Sequence, residues 1–218
     1  MASLTDAGSR TPPPRKRQAP RRETAERREA ILQAATEVFA TKGFKGGTLA
    51  DVAERVGMTH AGVLHHVGSK NNLLQEVLTY RDQNDDAVTR AVHGLDFFRH
   101  LVATMRLNMD RSGIVQTYVV LSAEAVTDGN PGYRYFKDRF TGLRRLVLEE
   151  LRAVQPSGDP LADAALVDAA SAIIAVMDGL QVQWLIDPDT LNLGEASAYA
   201  IEAIVQRVAA GATRATLL

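Results

Sequence analysis

Residues Thr48 to Lys70, TLADVAERVGMTHAGVLHHVGSK, constrain this chain more tightly than any other stretch. Leu49, Val52, Ala53 and Val56 recur at i, i+3, i+4 and i+7, the spacing of one apolar helix face, and Thr48 stands where its hydroxyl can cap the first turn. Gly57 ends that helix, because leaving it abruptly requires a left-handed backbone that glycine tolerates. Two residues on, Thr59 can cap a second helix that buries Val63 and Val67. The small Ala53 lets the second helix cross the first closely. With both caps and the turn in agreement, a helix-turn-helix fits better than an ordinary helical hairpin, and its second helix is the type that enters the DNA major groove.

The longer run from Gly43, GFKGGTLADVAERVGMTHAGVLHHVGSKNNLL, resembles the DNA-binding domain of TetR-type transcriptional regulators. It has a glycine-aromatic pair after the first helix, then the two-helix unit, then Ser-Lys opening a long fourth helix. Two positions depart from the family pattern: Leu64 stands where many members carry tyrosine, and Val67 replaces the usual phenylalanine. Leu64 offers no hydrogen bond to a phosphate or a base.

Thr59, His60, Ala61, Gly62, His65 and His66 are the candidates for facing DNA from the second helix. Ala61 and Gly62 allow close approach, and Ala61 can touch a thymine methyl. His60 and His65 can reach base edges, whereas His66 is expected at a phosphate. Lys70 resembles the family's phosphate-contacting lysine, and Thr48 can offer its hydroxyl and helix N-terminus to another phosphate. Neighbouring histidines on a helix point about 100° apart, and no third ligand is close in sequence, so no metal site is expected.

Charge is divided along the chain. Residues 1–70 hold 12 Lys+Arg against 7 Asp+Glu, and residues 71–218 hold 13 against 19, a polarity hidden by the overall charge of −1. The first third is thus the part suited to a polyanion. Residues 1–23, with Pro12, Pro13, Pro14 and Pro20 among Arg15, Lys16, Arg17, Arg21 and Arg22, read as a disordered basic arm, either a solvated tail or a segment lying along DNA. There is no cysteine for a disulfide or thiolate metal site. No apolar run is expected to reach the roughly 20 residues of a membrane span, and no signal-peptide core opens the chain, so a cytoplasmic protein with no membrane partner is expected.

The fold class expected is all-α, about nine helices: a helix-turn-helix domain over 24–70 and a ligand-binding and dimerisation domain over 71–218. Thr24 opens the first helix, in which Ile31, Ala34, Ala35, Val38 and Phe39 repeat at helical spacing. A fourth helix from about Ser69 to Ala91, about 33 Å long, connects the two domains. Further helical repeats run from Leu95 to Met109, Ile114 to Ser122, Phe136 to Leu151, Asp163 to about Leu185, and Ala196 to Ala210.

The last two resemble the dimerisation helices of the TetR family, with Ile173, Ile174, Ile201, Ile204, Val205 and Val208 as interface candidates unless they are only intramolecular core. Met105, Met109, Tyr118, Phe140, Met177 and Trp184 are candidates to line a small-molecule pocket, or simply core. Arg99, Arg106, His93 and His100 are possible polar anchors, and the scarcity of obvious buried charge leans toward an apolar or weakly polar ligand. No nucleophile or phosphate-loop pattern supports an enzyme, and no cofactor is expected. The resemblance implies a homodimeric repressor released by a small molecule from a pseudo-palindromic operator in double-stranded DNA. The alternative is a helical adaptor that no longer reads DNA.

Overall fold

The computed structural model describes residues 19–83 and 91–211, which form nine helices and no strand. They are α1 (Ala19–Gly46), α2 (Leu49–Arg55), α3 (His60–Val67), α4 (Lys70–Gln83), α5 (Leu95–Asn108), α6 (Ser112–Glu124), α7 (Tyr133–Val154), α8 (Asp163–Ile186) and α9 (Leu193–Ala209). The arm's residues 1–18 and the fourth helix's residues 84–90 lie outside the described residues. Helix α1 begins at Ala19 rather than Thr24, so the last part of the expected arm is helical. Pro20 is compatible with this, because a first-turn N–H needs no partner within the helix. Residues 24–30 are exposed throughout, so the first turns of the helix carry no apolar stripe before Ile31.

The head core joins Ile31, Ala35, Val38 and Phe39 of α1 to Val52 and Ala53 of α2 and Val63 and Val67 of α3. Leu73, Leu74, Val77 and Leu78 of α4 complete it, and Tyr118, Leu121 and Phe136 from α6 and α7 extend it without a break. A division after residue 70 therefore separates elements by sequence, whereas packing runs across it. A second core lies among α5, α7, α8 and α9, centred on Phe97, Val147, Leu166, Ile173 and Ile201. A third, of Met105, Val115, Trp184 and Leu193, closes the end where α5 turns into α6.

Buried Glu150 of α7 fixes the entry to α5, accepting from Gly94 N at 2.6 Å and lying 2.9 Å from His93 Nδ1. A buried carboxylate is tolerable only with such partners.

Helix α8 corrects one sequence expectation. At 24 residues, with a mean hydropathy of 1.6 over its most apolar window, it is long and apolar enough to cross a membrane by length and composition. A core helix of a soluble protein passes the same test, yet only 28% of that window is buried within the chain.

Candidate nucleic-acid interface and cavity

The turn between α2 and α3 is built from its caps. Thr48 Oγ1 accepts from Asp51 N at 3.1 Å, and Thr48 N donates to Asp51 Oδ2 at 2.8 Å, a reciprocal capping box. Gly57 takes φ 64°, Met58 N donates to Ala53 O at 2.9 Å and Gly57 N to Glu54 O at 3.3 Å. These two bonds form a Schellman stop, satisfying carbonyls that the end of α2 would otherwise orphan. Thr59 Oγ1 then accepts from Gly62 N at 3.1 Å and starts α3.

With Val63 and Val67 buried, α3 turns His60, Ala61, Leu64 and His65 to solvent, with Gly62 and His66 half-buried beside them. The His65 and His66 rings lie 6.0 Å apart edge to face, and no group of three metal-ligating side chains occurs among the described residues.

Thr48 is less available than the sequence implied. Its hydroxyl also lies 2.7 Å from Asp51 Oδ2, so both its polar groups are engaged with Asp51. Asp51 is in turn 2.6 Å from Lys42 Nζ. The Lys42 hydrogen bond, then those from Thr48, hold the Asp51 carboxyl well below its ordinary 3.8, at about 2. In this structure Thr48 positions α2, and its carboxylate partner already complements the helix N-terminus.

Lys70 lies 4.4 Å from the Phe44 ring centroid and 3.5 Å from Lys45 O. Its ammonium therefore stands beside the short end of α1 that follows a kink at Gly43 and leads into α2. That end is held by a residue that sequence reasoning missed. Gly43 adopts φ 67° and ψ 178°, and the Glu124 carboxylate, at the end of α6, accepts from Phe44 N at 2.5 Å and Lys45 N at 3.4 Å. A methyl group on Gly43 would coincide with that carboxylate. No local pattern announces a contact between residues 80 apart in the chain.

A cavity of about 970 Å³ opens in the helical body. Leu101, Ile174, Met177 and Tyr118 form apolar wall, while Asn108 and Gln181 supply buried amides, 7% and 4% exposed. Gln181 Nε2 donates to Met105 Sδ at 3.5 Å, and its Oε1 is buried with no hydrogen-bond partner among the described residues. Arg134, Asp138, Arg145 and Glu149 of α7 also line the cavity. These positions, at i, i+4, i+11 and i+15, place one charged face of α7 along the cavity, but all four side chains are exposed and Arg134 lies 3.8 Å from Asp138, so they add no buried charge to the lining.

Of the six pocket candidates, Tyr118 and Met177 line the cavity. Met105 and Trp184 belong to the third core, Phe140 packs against the head core, and Met109 is exposed at the end of α5. The four possible anchors are elsewhere: Arg99 pairs with Asp96 and Arg106 with Glu195, His93 meets Glu150, and His100 is half-buried outside the lining. A glutamine inside the most apolar helix was the readable signal for Gln181.

The dimer candidates also face inward. Ile173, Ile201, Val205 and Val208 are buried in the protomer's own core with Ile204 packed partly against them, and Ile174 is buried at the cavity wall. The opposite faces of α8 and α9 leave Val182, Ile186 and Tyr199 exposed, at 40%, 78% and 81%.

Capped turn, outward α3 and supporting three-helix core together define a helix-turn-helix DNA-binding head carried on a helical body. Residues 31–77 match the family described as bacterial regulatory proteins of the tetR family, and residues 99–210 match the BetI-type transcriptional repressor C-terminal domain. The HTH-type transcriptional regulator TtgR of Pseudomonas putida is 27% identical over 190 residues, covering 78% of this chain and 86% of TtgR. The HTH-type transcriptional repressor BepR of Brucella suis is 24% identical over 201 residues, covering 87% and 95%. The crystal structure of NalD, the secondary repressor of the MexAB-OprM multidrug efflux pump in Pseudomonas aeruginosa, superposes with a TM-score of 0.64 at 19% identity, covering 86% of this chain and 97% of NalD. The chain belongs to the TetR family and is a DNA-binding transcriptional regulator, not an enzyme.

Proposed function

We propose that this regulator is a homodimeric repressor that leaves a pseudo-palindromic operator when a small molecule fills the α4–α8 cavity. The observation that carries the reading is the cavity wall itself: Gln75 of α4 and Tyr118 of α6 line it, and both helices also pack into the head core. A ligand that prefers one placement of these helices shifts the head between DNA-competent and incompetent states, with a coupling typically of about 1–3 kcal/mol. The lining favours a ligand with a compact apolar body and polar groups, including a hydrogen-bond donor for Gln181 Oε1.

A second copy fits the exposed apolar faces of α8 and α9. Ala175, Gly179, Val182, Ala196, Tyr199 and Ala200 lie on or beside a shallow groove there, and the small residues permit close helix approach. Two α3 helices then enter successive major grooves about 34–36 Å apart, or as far apart as α4 sets them. His60, Ala61 and His65 meet bases, Lys70 and His66 meet phosphates, and the cytoplasm is the expected compartment.

Selection of bound duplexes from a random pool by the full-length protein, followed by salt titration, tests the reading. An inverted repeat with a steep salt dependence is expected, and Lys70→Ala weakens binding to all sequences while reducing the log–log salt slope by about 1. No enrichment over random DNA overturns it.

A further inference from the structure

Among the described residues of the head, Leu64 is the one large hydrophobic side chain left exposed, at 38%. The head core closes without it, on Val63 and Val67 from the opposite face of α3. Leu64 also lies between His60 and His65 on the outward face, one turn after exposed Ala61. An isobutyl group in the middle of a reading surface cannot donate to or accept from a base edge. It desolvates whatever polar edge it covers, which is costly when no hydrogen bond replaces the water. The apolar feature that a base pair presents in the major groove is the thymine C5-methyl.

We propose that Leu64, seconded by Ala61, reads thymine C5-methyl groups, making thymine at a fixed position of each half-site a requirement for tight binding. The inference rests on α3 being the helix that enters the groove. The rise from residue 61 to residue 64 is about 4.5 Å, against about 3.4 Å per base pair, so the two apolar contacts fall on neighbouring base pairs. His60 and His65 flank them and supply hydrogen bonds to adjacent edges. Leu64 is thus a specificity-determining residue rather than a lost contact.

The test uses a duplex selected from a random pool by the full-length protein, in which each thymine is replaced singly by deoxyuridine. That exchange removes the methyl group and keeps the base pairing. For the natural protein, deoxyuridine at the position under Ala61 is expected to weaken binding slightly, and deoxyuridine at the neighbouring position under Leu64 in each half-site about three- to tenfold. Leu64→Ala is expected to weaken binding to the parent duplex by a similar factor and to be insensitive to that same exchange, a closed double-mutant cycle between one side chain and one methyl. Its thermal midpoint and salt slope are expected to stay as in the natural protein, since the side chain neither builds the core nor meets a phosphate.

If no deoxyuridine position weakens binding, or if the loss persists undiminished in Leu64→Ala, the proposal is overturned while the operator reading stands. If no duplex is enriched at all, sequence reading by α3 fails and this inference fails with it.

Discussion

Helices α3 and α8 use apolar side chains in different ways. In α3 the apolar residues divide cleanly: Val63 and Val67 go into the head core, and Ala61 and Leu64 face outward among histidines and a threonine cap. Helix α8 is apolar nearly all round, with Ile173 fully buried and Ile186 78% exposed on the same helix. A short capped helix with one apolar stripe has only one way to sit, whereas a long helix without a polar face has many. The function of the first is therefore set locally, and that of the second by what the rest of the chain covers.

The sharpest way to break this comparison is to change the two faces of α8 separately. Ile173→Ala opens a cavity in a core that is fully closed there and is expected to cost about 2–5 kcal/mol in chemical denaturation. Ile186→Glu, on the exposed face, is expected to leave the protomer folded but to shift the mass measured at micromolar concentration from dimer toward monomer. If Ile186→Glu unfolds the chain, or leaves a dimer intact, the two faces do not have the separate duties assigned here.

Gly43 sharpens the contrast from the head side, because the head is not wholly self-sufficient. Alanine there meets both an unfavourable left-handed backbone, about 1–2 kcal/mol, and the Glu124 carboxylate with its two backbone hydrogen bonds. Gly43→Ala is expected to lower stability by about 2–4 kcal/mol in denaturant unfolding. Glu124→Gln, which keeps the shape and removes the charge, is expected to lose only the charge-assisted part of the two hydrogen bonds, about 1 kcal/mol.

The smallest effect is an acid dependence. The Asp51 carboxyl titrates at about 2 in the folded chain against an ordinary 3.8, chiefly through Lys42 and then Thr48. The folded state therefore binds fewer protons than the unfolded state across this interval. The stabilisation is present above about pH 4 and is lost as pH falls toward about 2. Thermal unfolding of Asp51→Asn is expected to lack this part of the acid slope, and an unchanged slope would remove Asp51 as its source.

The turn was legible in the sequence because its determinants are neighbours: Thr48 and Thr59 cap, Gly57 turns, and Val52 with Val63 fill the space between. The cavity was not, because Gln75, Tyr118, Arg134 and Gln181 come from four helices and meet only after those helices pack. The isoleucines of α8 and α9 misled for a related reason. They are the strongest apolar signal in the segment, and folding places most of them in the protomer's own core, leaving alanine, Val182, Tyr199 and the terminal Ile186 for the outer face.

The sequence by itself determined that this chain is all-helical, where its two short DNA-reading helices start and stop, and which of their residues face out. Those outcomes depend on caps, a left-handed glycine and a period of 3.6, all acting within a few residues. Only the tertiary structure decided that Glu124 holds the short end of α1 after Gly43, that a charged face of α7 borders a cavity, and that Ile173 turns inward while Ile186 does not. These depend on contacts between distant segments, whose geometry exists only once the helices have packed.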